Sequence, residues 1–236
     1  MSTVVLLRHG LTAMTGPVLA GRTPGVHLDD RGRAQAEAVA ARLSGVRLAA
    51  LVSSPLERCQ ETVAPVAAAT GLAVATEPRL IECGYGDWTG QELKKLAKDP
   101  LWKVVQSHPS GVTFPGPDGE SLRAAQARAV DAIRSWNAEL GPDAVWLACS
   151  HADIIKSIVA DALGLHLDEF QRIVVDPCSV TIVSYTPTRP FVVRVNDSGA
   201  DLATLLAPPR RKSGRRAAST GDAPVGGGAG SDDVRN

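Results

Sequence analysis

No apolar run in this sequence approaches bilayer-spanning length, and no basic segment precedes the short apolar run near its N-terminus. A membrane-spanning protein is therefore not expected, and a soluble, cytoplasmic one is. Net charge is also missing: 25 Lys+Arg balance 25 Asp+Glu. The balance is uneven along the chain, because residues 208–236 hold six Lys+Arg and three Asp, a net +3, which leaves residues 1–207 at −3. A body of that sign does not suit nucleic acid. Cysteine is sparse too. Cys59, Cys83, Cys149 and Cys178 are widely spaced and form no CxxC pair, which speaks against a disulfide framework or a zinc site. Buried free thiols are expected instead. Cys149-Ser150-His151 places two metal-ligand types in alternation, but no metal is expected there. No internal repeat is visible.

The 236 residues, 44% apolar and 21% charged, suffice for one large domain or two small ones with a substantial core. From Pro208 onward apolar content collapses into Arg210-Arg211-Lys212-Ser213-Gly214-Arg215-Arg216 and then Gly, Ala, Ser and Asp. Residues 1–207 are thus expected to form the folded domain and 208–236 a disordered tail. Its basic cluster is the only part suited to nucleic acid or an acidic partner.

The chain is organised around Val4-Val5-Leu6-Leu7-Arg8-His9-Gly10. Four apolar residues without helical periodicity read as a buried strand. It stops at an arginine, whose planar fork suits phosphate oxygens, a histidine able to act as a nucleophile, and a glycine that permits close approach. A strand end whose Arg and His merely face solvent fits the same tripeptide. The following loop, broken by Gly16-Pro17 and Gly21-Arg22-Thr23-Pro24-Gly25, is a candidate binding loop in which Arg22 is best able to hold an anion.

Asp29-Asp30 caps a helix expected to reach about Ser44, and residues 48–52 form a second strand. Ser54-Pro55-Leu56-Glu57 has the pattern of a capping box with proline at the first helical position, so Arg58 falls in the first turn beyond a strand end. A third strand spans residues 72–75. In the glycine-punctuated segment 80–90, Glu82 sits between apolar neighbours. It is either a solvated loop carboxylate or a proton donor of raised pKa. Short helices over 91–107, a Gly/Pro loop over 110–119 and a long helix over 120–140 come next. A buried strand at 144–149 then ends in Ser150-His151-Ala152-Asp153. That places His151 at a helix N-terminus, where N–H groups and the dipole favour anions. Residues 180–185 and 191–195 read as a closing hairpin at the sheet edge.

These pieces, in this order, resemble one family. Leu7-Arg8-His9-Gly10-x-Thr12, Ser53-Ser54-Pro55-Leu56-x-Arg58-Cys59-x-x-Thr62, Leu80-x-Glu82 with glycines to Gly90, Gly119-Glu120-Ser121 and Ser150-His151 are similar to the motifs of the histidine phosphatase superfamily, the phosphoglycerate-mutase-like proteins. The resemblance spans residues 3–185. It implies a three-layer α/β/α sandwich with a mainly parallel sheet. His9 would attack a phosphomonoester and become a phosphohistidine. Arg8, Arg58 and His151 would surround the phosphoryl oxygens, and Glu82 would protonate the leaving alkoxide. Substrate contacts are expected at Gly10, Thr15, Gly21, Arg22 and Ala152, with no metal and no cofactor. The departures are Leu11 in place of Glu or Gln, Thr15 near the position of an Asn, and Ala152 and Lys156 where Gly and Arg are common.

The reading that follows is a phosphatase acting on a small phosphorylated metabolite. A cofactor-dependent phosphoglycerate mutase is the alternative, and a non-catalytic phospho-ligand binder a third. Loops 14–25 and 84–118 decide the substrate, and their conformation is not legible in the sequence. Homodimerisation is left open.

Overall fold

The computed structural model describes residues 1–200 and 225–228. The described strands are β1 (Ser2–Arg8), β2 (Leu51–Ser53), β3 (Val74–Thr76), β4 (Val145–Ser150), β5 (Val180–Tyr185) and β6 (Pro190–Asp197). They form one sheet in the order β3-β2-β4-β1-β5-β6. The β1–β4, β2–β4 and β2–β3 pairs are parallel, and β5 and β6 add an antiparallel edge. The helices are α1 (Asp30–Leu43), α2 (Glu57–Thr70), α3 (Leu93–Leu96), α4 (Pro100–Ser107), α5 (Leu122–Leu140) and α6 (Ala152–Leu163).

Alternation along the central strands makes the three layers. Val4, Leu6, Trp146 and Ala148 face the core built with α5 and α6, while Val5, Leu7, Leu147 and Cys149 face the core built with α1 and α2. Cys149 is therefore part of an apolar core, and all four cysteines are buried free thiols. No helix among the described residues is long and apolar enough to cross a membrane.

Most elements lie where periodicity places them. Asp29 caps α1 by accepting from the Gly32 N–H, and Ser121 caps α5 by accepting from that of Ala124. The start of α2 differs from the capping-box expectation. The helix begins at Glu57 behind Leu56, without a side-chain cap. The Ser54 hydroxyl is engaged elsewhere, with a consequence for the site.

The register brings three chemistry-bearing ends together. Arg8 pairs with Ser150 across β1–β4, and Ser53 pairs with Cys149 across β2–β4. The residues that follow these strands, His9, Ser54 and His151, therefore emerge side by side at the carboxyl edge of the sheet. Backbone bonds fix the junction: the His9 N–H donates to the Ser150 carbonyl (3.0 Å) and that of Ser54 to the Cys149 carbonyl (2.9 Å). From there α2 runs to one face and α6 to the other, which opens the kind of crevice where ligands of open α/β sheets bind.

Candidate active site

The crevice is a cleft lined by Arg8, His9, Thr12, Thr15, Gly21, Arg58, Glu82 and Tyr85, among others. His9 is nearly buried, and its Nδ1 lies 2.8 Å from its neighbour's carbonyl at Gly10. A carbonyl only accepts, so Nδ1 carries the proton and Nε2 keeps its lone pair. Burial, followed by the positive fields of Arg58 and Arg8, holds the ring's pKa well below the usual 6.5. The imidazole is neutral and nucleophilic at neutral pH.

His151 stands behind it, with ring centroids 5.2 Å apart. Arg58 Nη2 lies 3.2 Å from His151 Nδ1. A guanidinium only donates, so Nδ1 accepts, and the proton sits on Nε2, 2.8 Å from Ser54 Oγ. Burial, then Arg58 and His9, keeps this ring neutral as well. Glu82 Oε2 is 3.9 Å from the same Nδ1, but with a neutral ring this contact is no ion pair.

The two arginines supply the positive charge. Arg58 is buried and donates through Nη2 to the Gly21 carbonyl (2.7 Å), while its Nε and Nη1 have no hydrogen-bond partner. Arg8 Nη1 donates to the Val175 carbonyl (2.8 Å), and Arg8 Nε is likewise unpartnered. Buried guanidinium N–H groups without acceptors are costly. Three of them, on two side chains lining one cleft, suit an oxyanion with several acceptor oxygens.

Glu82 faces them. Its Oε1 accepts from the Cys83 N–H at 2.9 Å. Burial and the nearby Asp153 raise its pKa to about 7, against the opposing pull of Arg58 and Arg8. A carboxyl poised there can give and take a proton near neutrality.

The other expected contacts scatter. Thr15 and Gly21 line the cleft. Gly10 does not. A Cβ there would lie 2.8 Å from the Gly32 carbonyl, so glycine lets the chain pass the first turn of α1, and its N–H is held by Thr62 Oγ1. Arg22, expected to hold an anion, points away from the cleft. It donates to the Glu82 carbonyl (2.8 Å) and pairs with Glu120 (2.8 Å). Ala152 opens α6 beside Gly227.

Two positioning groups escape sequence reasoning. Ser54, read as a cap, accepts the Nε2 proton of His151 and holds its ring in place. Arg128 donates to the carbonyls of Arg79, Ile81 and Glu82 and pairs with Glu120, so it fastens the loop that carries Glu82. Nothing in the alternating pattern of α5 singles Arg128 out. Asp153, also unassigned by the motifs, is buried and accepts from the Tyr85 hydroxyl at 2.8 Å.

Comparison with known proteins places the fold in one family. The model of the histidine phosphatase superfamily (branch 1) matches residues 4–198. The chain belongs to the histidine phosphatase superfamily. Its fold, an α/β sandwich on a mainly parallel six-stranded sheet, matches that of a mycobacterial glucosyl-3-phosphoglycerate phosphatase, with a TM-score of 0.73 and 26% identity over 83% of this chain and 98% of the other. Phosphoserine phosphatase 1 of Hydrogenobacter thermophilus is 28% identical, covering 83% of this chain and 92% of its own. The 2,3-bisphosphoglycerate-dependent phosphoglycerate mutase of Thermoplasma acidophilum is 25% identical, covering 78% and 87%. Higher identity, 49% over 79 residues, links the chain to an uncharacterized protein of Mycobacterium tuberculosis. That match spans 34% of this chain and 39% of the relative, well under half of either.

Proposed function

We propose that this superfamily member is a metal-independent phosphatase that hydrolyses a small phosphorylated metabolite through a phosphohistidine on His9. One observation carries the reading: a neutral His9, its Nε2 lone pair free, shares a cleft with the unpartnered guanidinium N–H groups of Arg8 and Arg58 and with a carboxyl of pKa about 7.

In this reading His9 Nε2 attacks phosphorus while the ester P–O bond breaks. Glu82, protonated, gives its proton to the leaving alkoxide, so the alcohol departs neutral. Arg8, Arg58 and the N-terminus of α6 stabilise the charge on the equatorial oxygens. Glu82, now a carboxylate, takes a proton from water as that water attacks the phosphohistidine. Phosphate leaves, and the enzyme is restored.

Mutases among the relatives keep transfer to a second hydroxyl in view. Such an enzyme must grip a carboxylate-bearing intermediate and exclude water. Among the described residues the cleft lining carries no Lys or Arg beyond the phosphate pair of Arg8 and Arg58, and Cys83, Tyr85 and Trp88 after Glu82 are buried in the core. Both features favour water as the acceptor. A phospho-ligand binder would not require a proton donor tuned to neutrality opposite the nucleophile.

His9→Ala should abolish phosphate release from phosphomonoesters together with the acid-labile phosphoenzyme trapped from wild type. Full activity in the variant, complete loss of wild-type activity with EDTA, or interconversion of phosphoglycerates outpacing phosphate release would each refute the reading.

A further inference from the structure

The cleft has an occupant from its own chain. Val225 is 1% exposed and belongs to the same apolar cluster as Leu19 and Tyr85. The Gly226 N–H donates to Asp153 Oδ2 at 3.0 Å. The next two carbonyls then fall on the guanidinium of Arg8: Nη2 donates to Gly227 at 3.1 Å and Nη1 to Gly228 at 2.8 Å. Glycine is required for this approach. Gly226 and Gly227 have φ of +75° and +71°, and a Cβ on Gly227 would stand 2.3 Å from the Ala152 Cβ and 3.2 Å from Arg8 Cζ.

We propose that Val225–Gly228 is an intramolecular competitor for the phosphate site. The inference rests on the assignment of Arg8 to the phosphoryl group. The two carbonyls take Arg8 donors that face the cleft, in the role phosphoryl oxygens would have. A phosphomonoester cannot use those donors until the segment leaves. The individual contacts are those of ordinary neutral acceptors, weaker than a phosphate dianion would make. A tethered segment nevertheless competes at an effective concentration in the millimolar range. The result is a brake on substrate affinity.

The test uses the full chain and its Gly227→Val variant, with Gly227→Ala as a milder step. If the segment occupies the site in about nine-tenths of molecules, freeing it raises apparent affinity about tenfold. Calorimetry with orthovanadate or inorganic phosphate should show that gain in Gly227→Val. KM for p-nitrophenyl phosphate should fall by the same factor with kcat unchanged, because the liberated site is identical. Equal affinities in the two chains would overturn the proposal. Weaker affinity or lower kcat in the variant would also overturn it, by showing that the segment completes the site. Hydrogen exchange at residues 225–228 separates the two failures. Protection in a wild type that binds neither phosphate nor vanadate would refute the phosphate-site reading while leaving the docking intact. Absence of protection would refute the docking itself.

Discussion

At the scale of single residues, the site works by placing proton affinities on opposite sides of neutrality. His9 is pushed down by burial and two guanidinium groups, and Glu82 is pushed up by burial and Asp153 to about 7. At pH 6–7 the nucleophile is therefore unprotonated while the acid still holds its proton. Raising the pH through 7 strips Glu82, so turnover of esters with poor leaving groups should fall along that limb. Glu82→Gln should cost roughly two to four orders of magnitude on such esters and erase the limb, while activated aryl phosphates, whose leaving groups need no proton, suffer less. Equal losses on both classes would assign Glu82 a positioning role. Stability follows the same sign. A carboxyl whose pKa rises from 4.5 to about 7 on folding binds its proton more tightly in the native state. Its contribution is fully present below pH 4.5 and is lost as pH rises through 7. Melting temperature should thus decline less between pH 5 and 8 in Glu82→Gln than in wild type.

At the scale of elements, each strand-to-helix junction has two possible uses for its polar residues: capping the helix or building the site. Ser54 shows the ambiguity. Ser-Pro-Leu-Glu before a helix reads as a capping box, yet α2 starts three residues later, and Ser54 instead accepts from His151 Nε2. Ser54→Ala should accordingly leave α2 and global stability almost unchanged. It should also leave the His151 Nε2–H without its acceptor, at a cost of about 1 kcal/mol in the transition state, or about fivefold in kcat/KM. A drop in stability typical of a lost N-cap, with unchanged kinetics, would restore the capping role. The same distinction explains what was legible beforehand. Buried strands ending in Arg8-His9 and Ser150-His151 announce themselves because four-residue apolar runs and their polar stops are local signals. Their juxtaposition follows from parallel pairing. Arg22, Arg128 and Gly10 are different. Which carbonyl an arginine reaches, or which backbone a glycine must clear, depends on segments dozens of residues away, and no local pattern records it.

At the scale of the whole molecule, the domain holds two apolar cores on either side of one sheet, and Val225 adds a late contribution to one of them. The tail expected from Pro208 lies largely outside the described residues. Its described part, Val225–Gly228, does not fit a wholly solvated tail: composition alone cannot reveal that Gly226 fits against Leu19 and Gly227 into the narrow space beside Ala152 and Arg8. How firmly the segment holds can be bounded. Burying one valine contributes about 1.5–3 kcal/mol, and fixing four residues of backbone costs about 1–2 kcal/mol each. The hydrogen bonds to Arg8 and Asp153 add about 0.5–3 kcal/mol apiece, the charged ones at the upper end. Gain and cost nearly cancel, which is what a displaceable occupant needs. A chain ending at Ala207 should therefore melt within a few degrees of the full protein, since 1 kcal/mol corresponds to about 2–4 °C at this size. Its KM for a phosphomonoester should be lower. A fall of 10 °C or more, or loss of a cooperative transition, would mean that the segment is a structural strap. Brake and strap differ in one measurable respect: removing a brake raises kcat/KM, whereas removing a strap lowers it.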